Sequence, residues 1–192
     1  MARTKAFEPE EKLEKAKCLF WQKGYSATSM QDLVDTMGLN RGSIYDTYGD
    51  KHSLFLQCLR SYTDSTFEDY QRTVAESKSP MKAVEKIIRR AALRTVAEGQ
   101  TCMGVKSTFE LASVDEEVHA ILKENTTKMI AVLKDLLKKA QKAGEINSKR
   151  DPGTLANFIV SNFTGFWQFY LVYGDGELVQ QQAEFLIKSI KK

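Results

Sequence analysis

Proline, histidine and cysteine are scarce in this 192-residue chain, which has three, two and three of them respectively. Few prolines leave few obligatory helix breaks, and no long stretch alternates apolar and polar residues as half-buried strands do. The cysteines, Cys18, Cys58 and Cys102, are odd in number and far apart, and no signal peptide accompanies them. They therefore favour a reduced, cytoplasmic protein over a disulfide-bonded one.

The motifs of common catalytic sites are also missing. The sequence has no nucleophile elbow, phosphate-binding P-loop or dinucleotide-binding glycine fingerprint. Its two histidines, His52 and His119, lack neighbours at metal-ligand spacing. We expect His52 to contact a phosphate or solvent, and His119 to pair with Asp115 on a helix surface. The chain is thus expected to be neither an enzyme nor a metal- or cofactor-binding protein.

The most apolar stretch, residues 155–173, carries polar side chains at Asn157, Ser161, Asn162 and Gln168. A membrane-spanning helix needs about 20 largely apolar residues. The stretch therefore indicates a buried helix that packs against partners on more than one side.

Residues 28–51 are the most informative part of the chain. Thr28 and Gln31 are spaced as a capping box, which would start one short helix, and Gly38 can take the left-handed conformation that ends it. Asn40 is a typical N-cap for the next helix. Two short helices joined by a glycine turn form a helix-turn-helix, whose second helix enters the major groove of DNA.

The start of the second helix has a side that faces outward. Leu39 and Ile44 flank the cap at positions that can pack together, which turns Ile44 inward. Arg41, Gly42 and Ser43 are then left near the exposed end. Gly42 costs about 1 kcal/mol in a helix relative to alanine, and it is easier to explain if another backbone must approach closely.

The segment from about Glu10 to Leu59 resembles the DNA-binding domain of the TetR family of bacterial transcriptional regulators. The resemblance includes the link Gly24-Tyr25-Ser26-Ala27-Thr28-Ser29 and the run Asn40-Arg41-Gly42-Ser43-Ile44-Tyr45-Asp46-Thr47-Tyr48-Gly49-Asp50-Lys51. It implies an all-α protein with a three-helix helix-turn-helix domain over residues 1–50. A larger helical domain for ligand binding and dimerisation would follow over residues 51–192.

The resemblance also implies that the protein binds double-stranded operator DNA. The residues expected at that site are Thr28, Ser29, Arg41, Gly42, Ser43, Tyr45, Tyr48 and Lys51. Thr28, Ser29 and Lys51 would hold phosphates, whereas Arg41, Ser43 and Tyr45 would face bases or the adjacent backbone. Arg41 is best able to read guanine.

Charge in the first 51 residues is balanced, with eight Lys or Arg and eight Asp or Glu. Binding by charge alone is therefore not expected, and the basic groups must be sorted onto one face. Asp46 stands where many relatives have a neutral or basic residue. It repels phosphate but could accept a hydrogen bond from cytosine N4. The simplest interpretation makes it an intramolecular partner of Arg41 or Lys51.

Helical periodicity predicts about nine helices. Besides the two within residues 28–51, they cover about 8–24, 51–75, 80–98, 103–112, 115–143, 152–173 and 176–190. Asp151 and Pro152 begin the eighth helix as an N-cap followed by proline at the first helical position.

Helices eight and nine carry more apolar surface than the core of one chain requires. In TetR-like proteins the corresponding pair meets its twofold mate in a four-helix bundle. The resemblance therefore implies a homodimer through residues of about 152–173 and 176–190. A twofold dimer presents two recognition helices, which predicts a palindromic operator.

The remaining helices would enclose a site for a small-molecule effector. Aromatic residues cluster between Phe158 and Tyr173, so an aromatic, amphipathic or planar ligand would suit the site. Candidate lining residues are Cys102, Met103, Phe109, Met129, Phe163, Phe166, Trp167 and Tyr170. The alternative for each of them is an ordinary place in the core.

Cys102 is a candidate for reactive-thiol chemistry. The run from Asn40 to Lys51 resembles one subgroup of the TetR family. Thr101-Cys102-Met103, followed by Glu110-Leu111-Ala112, resembles the regulatory domain of that subgroup, some of whose members sense electrophiles or oxidants through cysteine. Cys102 precedes a predicted helix start and has Lys106 four residues on, a setting that can activate a thiol. The alternative is a small buried packing residue. Cys18 and Cys58 lie on apolar helix faces and are interpreted as core.

Three functions are compatible with these patterns. The leading hypothesis is a ligand-responsive, dimeric transcriptional repressor. The second keeps DNA binding but replaces small-molecule induction with thiol chemistry at Cys102. The third is a helical interaction or dimerisation module that does not bind DNA, which would suit the balanced charge and Asp46.

Overall fold

The structure, a computed structural model, describes residues 7–98, 102–147 and 149–191. These residues contain no strand and confirm the predicted all-α fold with an N-terminal helix-turn-helix. Their nine helices are α1 (Pro9–Lys23), α2 (Met30–Met37), α3 (Arg41–Tyr48), α4 (Lys51–Ala75), α5 (Pro80–Glu98), α6 (Met103–Glu110), α7 (Glu116–Lys142), α8 (Pro152–Tyr173) and α9 (Gly176–Lys191).

The chain divides into two compact units that do not follow sequence order. Unit 1 combines the residues up to Asp64 with Met103–Leu122, and unit 2 combines Ser65–Cys102 with the residues from Lys123 onward. Unit 1 therefore includes α1–α3 together with the first part of α4, all of α6 and the start of α7. Sequence reasoning had placed the end of the N-terminal domain at residue 50, before α4.

Helix ends follow local signals closely in α8. The Thr154 amide donates to Asp151 Oδ2 at 2.6 Å, Pro152 opens the helix, and Gly174 ends it with φ of 65°. Helix α6 is shorter than predicted, because the amides of Val114 and Asp115 both bond to the Leu111 carbonyl, at 2.9 Å each, and form a turn.

The core of unit 1 includes the inward stripe of α1, which consists of Ala16, Leu19 and Phe20. Cys58 is buried, as predicted, and its burial raises the pKa of the thiol. Cys18 is exposed, and its interpretation as core is wrong. Cys18 lies between Ala16 and Leu19 in the sequence, but it is on a different side of α1 from these buried residues.

The core of unit 2 is built mainly by α5, α8 and α9, which pack on one another. Ile87 and Ile88 of α5, Phe166 of α8 and Ile190 of α9 have almost no exposed surface. Burial of such large apolar side chains stabilises a helical unit by about 1.5–3 kcal/mol for each.

One carboxylate, Glu85 of α5, is buried at the edge of this core. Its Oε2 accepts hydrogen bonds from Lys82 Nζ at 3.1 Å and Arg89 Nη1 at 3.2 Å. Lys191 Nζ lies 2.6 Å from Oε1 as an ion pair rather than an aligned hydrogen bond. Burial alone would raise the pKa of Glu85, but the three cations outweigh it and lower the pKa to about 2.

Glu85 is expected to make the protein acid-sensitive. Because its pKa in the folded state lies below the ordinary value, its contribution is fully present above about pH 4.5 and is lost as the pH falls towards 2. Glu85→Gln should remove about 1–3 kcal/mol at pH 7 and much less at pH 3. Urea unfolding at both pH values tests this, with the exposed Glu177→Gln as control. Equal losses at both pH values would contradict the prediction.

Candidate nucleic-acid interface

Helix α2 begins one residue later than predicted. Ser29 is its N-cap, because the Asp32 amide donates to Ser29 Oγ at 3.1 Å and the Ser29 amide donates to Asp32 Oδ2 at 2.8 Å. Lys23 Nζ donates to Asp32 Oδ1 at 2.7 Å, and this bond with those of Ser29 holds the pKa of Asp32 well below its usual range. The predicted capping box of Thr28 and Gln31 is therefore wrong.

Thr28 stabilises the link between α1 and α2 through a buried hydrogen bond. It has no exposed surface, and its hydroxyl donates to the Gly24 carbonyl at 2.6 Å. The prediction that the Thr28 side chain holds a phosphate is wrong, because a fully buried hydroxyl cannot reach a ligand. Its neighbour Ser29 is exposed.

Helix α3 is capped at its N-terminus, and the cap of α4 follows directly after its C-terminus. The Ser43 amide donates to Asn40 Oδ1 at 2.8 Å, which confirms the predicted N-cap. Asp50 caps the following helix by accepting from the Ser53 amide at 2.7 Å, and this bond lowers the pKa of Asp50. Ile44 is fully buried, so the inner side of α3 is anchored in the core of unit 1.

The outer side of α3 is formed by four exposed residues, Arg41, Gly42, Tyr45 and Asp46, which we call the α3 face. The Arg41 guanidinium lies 5.7 Å from the centroid of the Tyr45 ring and donates to its hydroxyl at 3.4 Å. A Cβ built on Gly42 would meet only Asn40 Oδ1, at 3.4 Å. No described neighbour therefore requires glycine at this position, and the face is open to a partner.

Two predictions about α3 are wrong. Tyr48 was expected at the DNA, but it is buried, and its hydroxyl donates to the Pro9 carbonyl at 2.7 Å. Asp46 was expected to pair with Arg41 or Lys51, but it has no hydrogen bond or ion pair with any residue that the structure describes. Ser43 is half-buried beside the face.

Lys51, at the start of α4, lies beside the ring of Tyr25. Its Nζ is 4.3 Å from the ring centroid, which is a cation–π distance. Burial lowers the pKa of Lys51. The ring of Tyr25 is fixed in turn by Phe55, with centroids 4.9 Å apart. The ammonium group is thus held at the N-terminus of α4 and does not swing freely in solvent.

Helix α6 is tied to the C-terminal end of α1 by Lys106. Its Nζ donates to the carbonyls of Trp21 and Gln22 at 2.7 and 2.8 Å. The last carbonyls of a helix have no partner within the helix, and a cation there is favoured by the helix dipole. Lys106 therefore satisfies two acceptors that α1 cannot satisfy itself.

Glu110, one turn further along α6, holds the link between α1 and α2. Its carboxylate accepts from the amides of Tyr25 at 3.1 Å and Ser26 at 2.7 Å. Burial would raise the pKa of Glu110, but these amide bonds outweigh it and keep the pKa low. Gly24 leaves the necessary space, since a Cβ there would lie 2.9 Å from Glu110 Oε2 and its φ is +88°.

His52 and Asp115 form a further connection within unit 1. His52 Nε2 lies 2.7 Å from Asp115 Oδ2, a partner that the sequence did not indicate, and 31% of the His52 side chain stays exposed to solvent. Asp115 also caps α7 by accepting from the amides of Glu117 and Val118. It is therefore not available as the predicted surface partner of His119. Sequence reasoning missed these contacts because the paired residues are more than 60 positions apart.

Candidate effector residues occur in both units. Met103 is buried in unit 1. Phe109, also in unit 1, is 77% exposed, so its predicted place in an enclosed ligand site is wrong. Cys102 is half-buried and belongs to unit 2. Thr101, which precedes it in the predicted motif, lies outside the described residues.

The other five candidates all belong to unit 2. Met129, Phe163 and Tyr170 are half-buried against the core cluster that contains Phe166. The rings of Phe163 and Phe166 are 6.1 Å apart, and Trp167 is buried. Four of the five therefore share one apolar region, which is consistent with core packing as well as with a ligand site.

A second open surface lies on α8 and α9. The described chain leaves ten large apolar side chains exposed, and six of them are on these two helices: Phe158, Phe169, Leu171, Val172, Tyr173 and Phe185. Phe169 is eleven residues after Phe158, and Val172 is three residues after Phe169. These spacings are close to whole helical turns, so the three side chains lie along one side of α8. A Cβ built on Gly165, on the same side, would meet no atom within 4 Å.

Two other kinds of site are absent from the described ranges. No helix there has the length and hydropathy that crossing a membrane requires. The same residues contain no group of three or more His, Cys, Asp or Glu side chains placed to hold a metal ion.

Comparison with known proteins matches both halves of the chain to family models. Residues 13–58 match the model described as bacterial regulatory proteins, tetR family, and residues 81–186 match the tetracyclin repressor-like C-terminal domain. An uncharacterized HTH-type transcriptional regulator of Bacillus subtilis, YezE, is 29% identical over 83% of this chain and 84% of its own length. The HTH-type transcriptional repressor ComR of Escherichia coli is 29% identical over 82% and 76%.

Solved structures share the fold over almost the whole chain. A cysteine-substituted CifR, a TetR family transcriptional regulator in complex with 26-base-pair operator DNA, superimposes with a TM-score of 0.86 at 19% identity, covering 98% of this chain and 100% of that one. The reduced form of Escherichia coli NemR gives a TM-score of 0.81 at 15% identity, with coverage of 95% and 94%. At these identities the likeness concerns the fold alone.

Proposed function

The chain belongs to the TetR family of bacterial transcriptional regulators, and from this membership we propose that it is a ligand-responsive repressor that binds a palindromic operator as a homodimer. The observation that carries the proposal is the α3 face. Its helix is capped by Asn40, Arg41 and Tyr45 are exposed on it, and Gly42 would let a DNA backbone approach closely. Repression is supported by relatives such as ComR, which are named repressors.

Phosphate and base contacts are divided between two sets of residues. Ser29 and Lys51 lie at the N-termini of α2 and α4, where amide groups and helix dipoles favour anions. They would fix the position of the protein on the DNA backbone, as phosphate contacts do. Arg41, with Gly42 beside it and Tyr45 one turn on, would reach base edges, with Ser43 near the adjacent backbone.

The homodimer would form through α8 and α9. They carry six exposed aromatic and aliphatic side chains, and large apolar side chains left exposed in one chain are typical of an interface. The space over Gly165 would let a second helix approach closely. A twofold axis through this surface relates two α3 faces, so that each reads one half of a palindrome.

The effector would bind in the apolar region of unit 2 near Met129, Phe163 and Tyr170. A ligand changes DNA affinity only to the extent that it prefers one conformation of the protein. Helices α4 and α7 contribute residues to both units. Lys106 and Glu110 hold α6 against the helix-turn-helix, so a shift of α6 would change how α2 and α3 are supported.

The functions assigned to residues 1–50 and 51–192 are part of the same proposal. DNA binding would belong to α1–α3, and effector binding and dimerisation to the later helices, although α6 is packed in unit 1. We propose the cytoplasm as the location, since a regulator of this family acts on the chromosome. The thiol hypothesis at Cys102 stays a prediction.

Selection from a pool of random double-stranded DNA tests the proposed function. The purified protein is expected to enrich a palindrome whose half-sites are centred about one helical turn, or a multiple of it, apart. Gel-shift titration of the enriched sequence should give an affinity at least about 1,000-fold above that for a scrambled duplex. Failure to enrich any sequence at low salt would instead favour the interaction module without DNA binding.

A further inference from the structure

We propose that Asp46 is a specificity-determining residue of α3 and accepts a hydrogen bond from the amino group of cytosine in the major groove. This inference rests on the proposed function, because it requires an operator. Asp46 lies on the α3 face rather than in the internal ion pair that its sequence context suggests.

The position of Asp46 gives its carboxylate a route to the base edges. Gly42 and Asp46 are four residues apart and therefore lie above one another on the helix surface. The glycine has no side chain to hold the helix away from a partner, and no described residue lies close enough to require glycine there. A backbone that approaches closely at Gly42 brings the side chain one turn later into reach of the next base pairs.

Within the described part of the chain, the charge of Asp46 is not compensated. The carboxylate has no cation or hydrogen-bond donor among the described residues, whereas its neighbour Arg41 is engaged by Tyr45. On a surface that meets DNA, an unpaired carboxylate is repelled by phosphates. It lowers affinity for every sequence unless a donor on the DNA compensates it.

The major groove offers such a donor at only some base pairs. Cytosine presents its N4 amino group, whereas guanine presents the acceptors N7 and O6 and thymine the acceptor O4. Adenine has a donor at N6, but the acceptor N7 lies beside it and repels a carboxylate. Asp46 therefore favours cytosine by attraction and disfavours the other bases by repulsion, and both effects contribute to specificity.

The two rows of the α3 face are then chemically complementary. Arg41 and Tyr45 form one row, in which the guanidinium supplies donors that suit guanine. Gly42 and Asp46 form the other row, which supplies only acceptors. A face of this kind can recognise acceptors on one base pair and donors on the next. Its net charge is zero, because the charges of Arg41 and Asp46 cancel.

Selection from random DNA with matched variants tests the role of Asp46. The parent is expected to select cytosine at one position in each half-site by roughly tenfold over the other bases. Asp46→Asn should shift the preference at that position towards adenine, because an amide can donate to N7 and accept from N6. Asp46→Ala should lose the preference there and keep the remaining bases of the palindrome.

The control is Asp35→Asn, which removes the same charge from an exposed position on α2. It should leave the base preference unchanged at every position. If the parent enriches a palindrome but both Asp46 variants select the same bases as the parent, the proposal for Asp46 is overturned while the proposed function stands. If the parent enriches no palindrome, the proposed function itself fails.

Discussion

Phe185→Glu is expected to separate the proposed homodimer and to lower operator affinity by roughly 100-fold or more, because a twofold interface through α9 would bury two unpaired carboxylates at once. Phe185 is 74% exposed on α9, so the substitution leaves the fold of a single chain almost untouched. A monomer retains only one α3 face, and it loses the gain in effective concentration that linking two half-site contacts provides.

The measurement combines sedimentation equilibrium with gel-shift titration of the selected operator. Leu93→Glu is the matched control, since Leu93 is 53% exposed on α5 and lies outside α8 and α9. The control should stay dimeric and bind DNA like the parent. A Phe185→Glu protein that remains dimeric at micromolar concentration would show that the interface lies elsewhere on the chain.

Arg41→Ala is expected to weaken operator binding on the order of 100-fold, because each bidentate arginine–guanine contact is worth about 1–3 kcal/mol and a dimer makes two of them. The loss of affinity should be much larger for the operator than for scrambled DNA. Arg41 is already positioned over Tyr45 before DNA arrives, so little side-chain entropy remains to be lost on binding.

Two further variants distinguish the contribution of Arg41 to base recognition from the contribution of its charge to DNA affinity. Arg41→Lys keeps the charge but not the planar pair of donors, and it should recover affinity for scrambled DNA more than for the operator. Arg72→Ala, which removes an exposed charge near the end of α4, should leave both affinities unchanged. If the operator retained parental affinity for Arg41→Ala at physiological salt, α3 would not be the reading helix.

Much of the fold was predictable because its signals are local. Asn40 caps α3 and Asp151 with Pro152 begins α8 through contacts with residues only a few positions away. Helical periodicity likewise located nine helices among the described residues, with ends displaced by one or two positions. The residue pattern around α3 was sufficient to identify a TetR-like DNA-binding domain.

The site was less predictable residue by residue, because burial depends on what packs from elsewhere. Thr28 and Tyr48 are residue types that often contact DNA. Inside unit 1, however, the Thr28 hydroxyl donates to the Gly24 carbonyl and the Tyr48 hydroxyl donates to the Pro9 carbonyl. Asp46 has the chemistry of an ion-pair partner, yet it lies on the open side of α3.

Local sequence thus specified the helices, their caps and the family, since each of these depends on neighbours within one or two turns. The assignment of side chains to surface or interior required the folded chain. Glu110 and Lys106 support the helix-turn-helix from positions 84 and 85 residues away. Such partners meet only when tertiary packing brings distant segments together, because no short-range pattern records which of them will lie side by side.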